Sequence, residues 1–278
     1  MHVNIKLIGI FLFILVATVV AEDTNISSLK KLNNEELIQL FLEGKGFSEM
    51  TEKIKENNAE QNKEIEKLLL ERWKKSNDAS LVKARCLQGL RLVKSQEAVD
   101  FLIIKLLEGN TRKERISAAR DLGVLRNTSA VPALESAVSA DKGVFGEGRS
   151  IARRSIFALG EIGEPAVPSL MKIWEDKNLR VGCEEGLISA MGYTKDKRFI
   201  PILLKTLERK DGLGRDNAAR VLGEIGNDTV LPELRKYQND TNKEVRDNVL
   251  EAISKIEQRT KKKENKNISP CFTNALVP

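Results

Sequence analysis

Along most of this chain apolar residues return every three or four positions, the spacing that places them on one face of a helix. Ala118, Ala119 and Leu122 form one such stripe, Ala218, Ala219 and Leu222 a second, and Ile200, Leu203 and Leu207 a third. No strand-like alternation of useful length interrupts them. The stripes are punctuated by glycine and proline. Gly123, Gly160, Gly192 and Gly223 each follow a large apolar residue, Leu122, Leu159, Met191 or Leu222. Pro132, Pro168, Pro201 and Pro232 come shortly after, and two positions beyond each proline stands Leu134, Leu170, Leu203 or Leu234. The unit recurs at about thirty-two residues, a period that marks a repeat architecture. Degenerate copies flank it: Asp100 and Leu102 take the Pro and Leu places upstream, and Ile253 and Ser254 match the apolar-Gly pair downstream.

Each unit reads as helix, turn, helix. Alanines ahead of the glycine let two helices approach closely. The glycine is expected to end the first helix, where a left-handed conformation costs it little. Proline then opens the second helix within its first turn, where its missing N–H is not needed. One such pair cannot bury its own apolar face, so the copies must stack. The fold class is therefore all-α, a solenoid of stacked antiparallel helix pairs with an outer row of first helices and an inner row of second helices. Residues 78–257 hold about six pairs. Residues 22–77 are helical in pattern but off the repeat and read as an N-terminal cap, with Ile65, Leu68, Leu69 and Trp73 turned toward the first repeat. Residues 258–278 open on the charged run Arg259 to Lys266 and are expected to fray.

The residues Arg215, Ala218, Ala219, Leu222, Gly223, Ile225 and Gly226, followed by Leu231, Pro232 and Leu234, resemble the HEAT repeat family, and within it the short type named after phycobilisome lyases. The set from Ser155 through Leu159, Gly160, Ile162 and Gly163 to Val167, Pro168 and Leu170 agrees closely. Lys83, Arg115, Arg215 and Arg246 meet the family's basic position, whereas Ala152 and Glu184 stand there in the third and fourth copies. Those two copies are expected to stack with a different twist. The resemblance implies a HEAT-like superhelix that serves as a binding scaffold, because most proteins of this fold do so.

The ends change the picture. Lys6 and the apolar run Leu7 to Val20, with Val19 and Ala21 ahead of a cut before Glu22, have the layout of a secretory signal peptide. Residues 1–21 are thus expected to be removed and the protein exported, periplasmic or extracellular, with a retained membrane anchor as the alternative. The run is short for a bilayer span of about 20 residues. Three cysteines cannot all pair internally, and Cys86 and Cys183, three repeats apart, read as small buried hydrophobes. Asn-x-Ser/Thr sequons begin at Asn25, Asn127, Asn227, Asn239 and Asn267.

Composition argues against several kinds of chemistry. The single histidine is His2, inside the segment expected to be removed. That leaves no histidine for triads, metal ligation or haem attachment. It also speaks against the iron-dependent hydroxylases built on HEAT repeats, for which the resemblance implies His-Glu ligand pairs. No two cysteines have zinc-ligand spacing. Glu184 with Glu185, and Glu161 with Glu164, read as solvated helix or turn residues. The expectation is no catalytic residues, no cofactor, no metal and no enzyme activity. A formal charge of +6 on 278 residues does not by itself call for nucleic acid.

Binding is the remaining reading. Lys172, Lys205 and Lys236 stand four residues after consecutive prolines, with Ser136 in the copy before. Leu at Pro+2 faces the core, so Pro+4, about 200° around the helix, faces the concave surface. The lysines then form a ladder spaced about 10 Å apart, suited to a protein partner with an acidic surface. Phe145, in the glycine-rich insertion 143–149 before the third repeat, and Trp174 are candidate contact anchors. Two competing functions are a lyase-like enzyme or accessory factor acting on a chromophore-bearing or other acceptor protein, and nucleic-acid binding of the kind found in HEAT-like glycosylases.

Overall fold

The computed structural model describes residues 32–76, 81–141, 150–210 and 212–268. The expected signal segment, the Phe145 insertion and Cys271 lie outside them. The described residues are helical, with no strand among them. The chain divides into two compact units, one ending at Ser95 and the other beginning at Gln96.

The first unit holds α1 (Asn34–Leu42), α2 (Phe47–Glu56), α3 (Ala59–Lys75) and α4 (Leu81–Leu92). Two of its helices start on reciprocal caps. Asn33 accepts from the Glu36 N–H while the Glu36 carboxylate accepts from the Asn33 N–H, and Asn58 and Gln61 repeat the arrangement. Leu37, Ile38 and Phe41 of α1, Met50 of α2, Ile65, Leu69 and Trp73 of α3, and Cys86 and Leu90 of α4 make its core. Leu68 is half-buried. The unit closes after α4 because that helix packs on α1 and α3, so the compact boundary falls later in the chain than the start of the repeat pattern.

The second unit alternates two kinds of helix. The first row is α6 (Arg112–Leu125), α8 (Ser150–Ile162), α11 (Glu184–Thr194), α13 (Arg215–Ile225) and α15 (Lys243–Ile268). The second row is α5 (Gln96–Glu108), α7 (Val131–Ala140), α9 (Val167–Glu175), α12 (Ile200–Leu207) and α14 (Leu231–Arg235), with the short α10 (Lys177–Arg180) after α9. Each first-row helix packs on the next, and second-row helices lie against the first row, so the unit is an α solenoid. The four prolines sit in the first turn of α7, α9, α12 and α14, each after a single 3-10 turn. Leu134, Leu170, Leu203 and Leu234 are fully buried. In two copies the sequon asparagine shapes that turn: Asn127 Oδ1 accepts from the Ser129 N–H at 2.9 Å, and Asn227 Oδ1 from the Thr229 hydroxyl at 2.6 Å.

The glycines do something other than expected. Gly123, Gly160, Gly192 and Gly223 lie inside their helices with ordinary helical backbones, and residues of positive φ come three positions later, at Arg126, Gly163 and Lys195. What the glycines supply is proximity. A Cβ on Gly123 would stand 3.0 Å from Ala158 Cα, on Gly160 2.8 Å from Ala190 Cα, and on Gly223 2.7 Å from Ala252 Cα. Gly192 meets the branched Val221 instead, at 3.1 Å. The partner in each case is the residue two before the next copy's glycine. Ser254, at the same register of α15, is exposed.

The tail expected after Gln258 also needs correction, because α15 continues through Ile268. Arg259 donates to the carbonyl oxygens of Gly223 and Gly226 at 2.7 and 2.9 Å, satisfying the open C-terminal end of α13 and tying the charged run to the repeats. The basic repeat position works in the same way: Arg115 donates to Leu106 O at 2.7 Å and Arg215 to Leu207 O at 2.8 Å, each closing the end of a second-row helix. In the third copy, where Ala152 stands, its backbone N–H donates to the buried Asp141 carboxylate at 2.9 Å.

Candidate functional site

Second-row helices carry the lysines at one register, and their tips are open to solvent. Lys172 on α9 has a side chain 73% exposed, Lys236 just past α14 61%, and Lys205 on α12 is exposed. Their electrostatics differ. Lys172 reaches across to Glu135 on α7, and Ser169 Oγ donates to the same carboxylate at 2.6 Å. The Lys172 and Ser169 hydrogen bonds hold the Glu135 carboxyl below its usual range, and the same contact raises Lys172. Lys236 donates to both oxygens of Glu233, at 2.7 and 2.6 Å, which raises its own pKa. Lys205 makes no ion pair with a described residue. The row therefore presents lysines interleaved with carboxylates.

Trp174 is half-buried near the end of α9, and the Arg180 guanidinium lies 5.2 Å from its ring centroid. Arg180 also donates to Trp174 O at 3.0 Å, while its Nε stands 3.1 Å from Glu184. Arg209 completes the cluster, 3.0 Å from the other Glu184 oxygen. Glu184 is thus clamped between two guanidiniums and does not form an acid-base pair with Glu185. Arg215 repeats the theme, its guanidinium 5.6 Å over the Tyr237 ring and paired with Asp240, whose carboxyl that contact holds low. These arginines fix the second-row ends to the first row. Tyr193 is the more open aromatic, 60% exposed and edge-on to Phe157 at 6.4 Å.

Sequence reasoning missed Glu135, Glu233 and Arg180. Glu135 lies thirty-seven positions before Lys172 in the chain, so no local signal connects them. Cys86 and Cys183 are buried and in no disulfide, and burial pushes the Cys86 thiol up to about 11. Among the described residues no helix is long and apolar enough to cross a membrane.

Residues 200–264 match the family model of HEAT repeats. The chain is 31% identical to deoxyhypusine hydroxylase of Bos taurus over 107 residues, 37% of this chain and 35% of that protein. It thus spans about a third of the length of that curated relative. Solved structures of similar fold include human deoxyhypusine hydroxylase in complex with glycerol, at 14% identity and TM-score 0.38 over 84% of this chain and 96% of that one. The CpcE–CpcF complex of phycocyanin lyase from Nostoc sp. PCC7120 is similar at 19% identity and TM-score 0.39, over 85% of this chain and 97% of that one.

These relatives correct the expectation that the chain stands apart from enzymes, since the sequence match is to proteins named for an enzymatic activity. The periodicity behind that expectation encodes helix stacking, which catalytic and non-catalytic HEAT proteins share. The absence of histidine bears on a narrower point. His-Glu metal pairs are not available from a sequence whose one histidine is His2, and among the described residues no three His, Cys, Asp or Glu side chains gather as a metal site. The donor set does not fit an iron centre of that kind.

Proposed function

Because the chain is a HEAT-repeat protein, we propose that it is a scaffold that docks a protein partner along its second-helix row. The observation that carries this is the shared register of Lys172, Lys205 and Lys236, all exposed on successive second-row elements. A partner with surface carboxylates would meet Lys205 directly and exchange with Glu135 and Glu233 at the other two lysines. Export of such a scaffold rests on the N-terminal apolar run alone.

Replacing Lys172, Lys205 and Lys236 together by glutamate is expected to leave folding stability nearly unchanged, since exposed ion pairs contribute little. Partner affinity is expected to fall about tenfold or more, mostly through a slower association rate at low salt. Surface plasmon resonance against a partner captured with the native protein reads both. Equal association rates for native and triple variant at low and moderate salt would rule the row out.

A second reading follows from the 31% identity to deoxyhypusine hydroxylase: the repeats hold a modifiable acceptor protein and the chain takes part in its modification. With no His-Glu metal pair in its sequence, the chain is then expected to bind a deoxyhypusine-bearing acceptor protein directly, as isothermal titration calorimetry would read. No binding of an acceptor that an authentic hydroxylase binds under the same conditions would reject this reading.

A further inference from the structure

The second row changes character from one end to the other. In every copy the residues four and seven places after the proline position share one face, about 60° apart around the helix. The first of these positions holds Ile104, Ser136, Lys172, Lys205 and Lys236 in turn, all exposed. The second holds Leu107, Ser139, Glu175, Glu208 and Asn239, also exposed. On α5 the pair is apolar, with Ile104 55% and Leu107 41% exposed, whereas every later copy is polar at both places. Leu102, two residues past Asp100, is buried like Leu134 and Leu170, so α5 keeps the common register. The apolar pair is thus no result of a rotated helix.

Charge follows the same gradient. Lys105, the one cation of α5, turns to Glu114 on α6 at 2.5 Å and lies over the Phe101 ring. Glu97, Asp100 and Glu108 are exposed on α5. The next helix, α7, carries no cation, and its Glu135 is met by Lys172. A partner's carboxylates are therefore repelled at the α5 end and attracted from α9 onward. Apolar side chains gain only at the α5 end, where burying Ile104 and Leu107 removes apolar surface from water.

Resting on the reading of the second row as a docking surface, we infer that its partner is an amphipathic helix, apolar at the end over α5 and acidic at the end over α9 to α14. Successive second-row helices lie about 10 Å apart, which a partner helix covers in about seven residues. That is two turns, so one face of the partner returns to every copy. An extended segment covers the same distance in about three residues and, with side chains alternating, turns its opposite face to every second copy. The four intervals from α5 to α14 amount to about 40 Å, or about 27 helical residues. Ser136 and Ser139, small and uncharged, leave such a helix unobstructed between its two ends.

The test uses the full chain and fluorescein-labelled helical peptides of about 30 residues, read by anisotropy. Heptad by heptad, one face carries leucines, alanine and then glutamates, and the peptide is made with the leucines at either terminus. A control of the same composition has the leucines at the central heptad. In one of the two senses the graded peptide is expected to bind about tenfold tighter than the control. The Ile104→Gln, Leu107→Gln double variant is expected to bind it about five- to tenfold more weakly at low and moderate salt alike. Both residues are exposed, so circular dichroism should show its helicity intact. The Lys172, Lys205 and Lys236 glutamate variant should lose most affinity at low salt. Loss in that variant alone would overturn the apolar end and leave the second-row reading standing, whereas unchanged binding by it would overturn both. Equal affinity for the control peptide would overturn the gradient. So would self-association of the native protein, or its binding to anionic vesicles, that the double variant abolishes.

Discussion

Replacing Gly160 by valine is expected to destabilise the second unit by about 3 kcal/mol, the upper part of the range for overpacking. The first added carbon would stand 2.8 Å from Ala190 Cα and 2.9 Å from Ala190 O, both backbone atoms of the neighbouring helix. Neither can yield unless α11 moves as a whole. The sign is what makes the variant informative. Helix propensity alone would favour valine over glycine by roughly a few tenths of a kcal/mol in a helix interior. Gly186, on α11, provides the contrast, since a Cβ there meets only Phe157 Cε2 at 3.9 Å, an ordinary contact. Gly186→Ala should therefore stabilise by about 0.5 kcal/mol. Urea midpoints of the two variants decide the matter, and a Gly160→Val midpoint at or above the native one would mean that α8 and α11 do not approach this closely.

The other large effect is expected at Leu203. It is fully buried on α12, two residues past Pro201, at the register that Leu134, Leu170 and Leu234 occupy in their copies. Truncation to alanine removes three carbons and leaves a cavity between rows, costing about 2–5 kcal/mol. Equilibrium unfolding measures it directly. A loss below about 0.5 kcal/mol would place Leu203 at the surface and the repeat register out of step, since substitutions there stay within that limit.

Much of the fold was legible because its determinants are local. Proline fixes its own backbone, so Pro132, Pro168, Pro201 and Pro232 announce helix starts wherever the helices then go. Leucine two residues on has to face inward once the helix direction is set. The glycines were misjudged because a glycine just after a large apolar residue, near a helix end, looks the same whether it caps the helix or admits a neighbour. The deciding feature was the alanine two before the next glycine, Ala158, Ala190 or Ala252, and its meaning appears only when successive helices lie side by side. The candidate site divides along the same line. That Lys172, Lys205 and Lys236 are exposed followed from helical geometry. That Glu135 stands among them did not, because it comes from the preceding copy; Glu233, three residues before Lys236, was within reach of a local reading. The charged run from Arg259 looked like a solvated tail because the carbonyls it satisfies belong to α13, more than thirty residues earlier in the chain.

The glycine seams carry a consequence for cooperativity. Each joins a first-row helix to the next one only, so the second unit holds together as a chain of nearest-neighbour couplings, with no single centre to lose. The couplings are unequal: a Cβ on Gly160 or Gly223 would stand 2.8 or 2.7 Å from alanine backbone, whereas one on Gly192 would first meet the side chain of Val221, at 3.1 Å. The junction of α11 and α13 is then the place where melting of one end can halt before it reaches the other. Heat or denaturant would populate half-ordered arrays there, and a single all-or-none transition would describe the unit poorly.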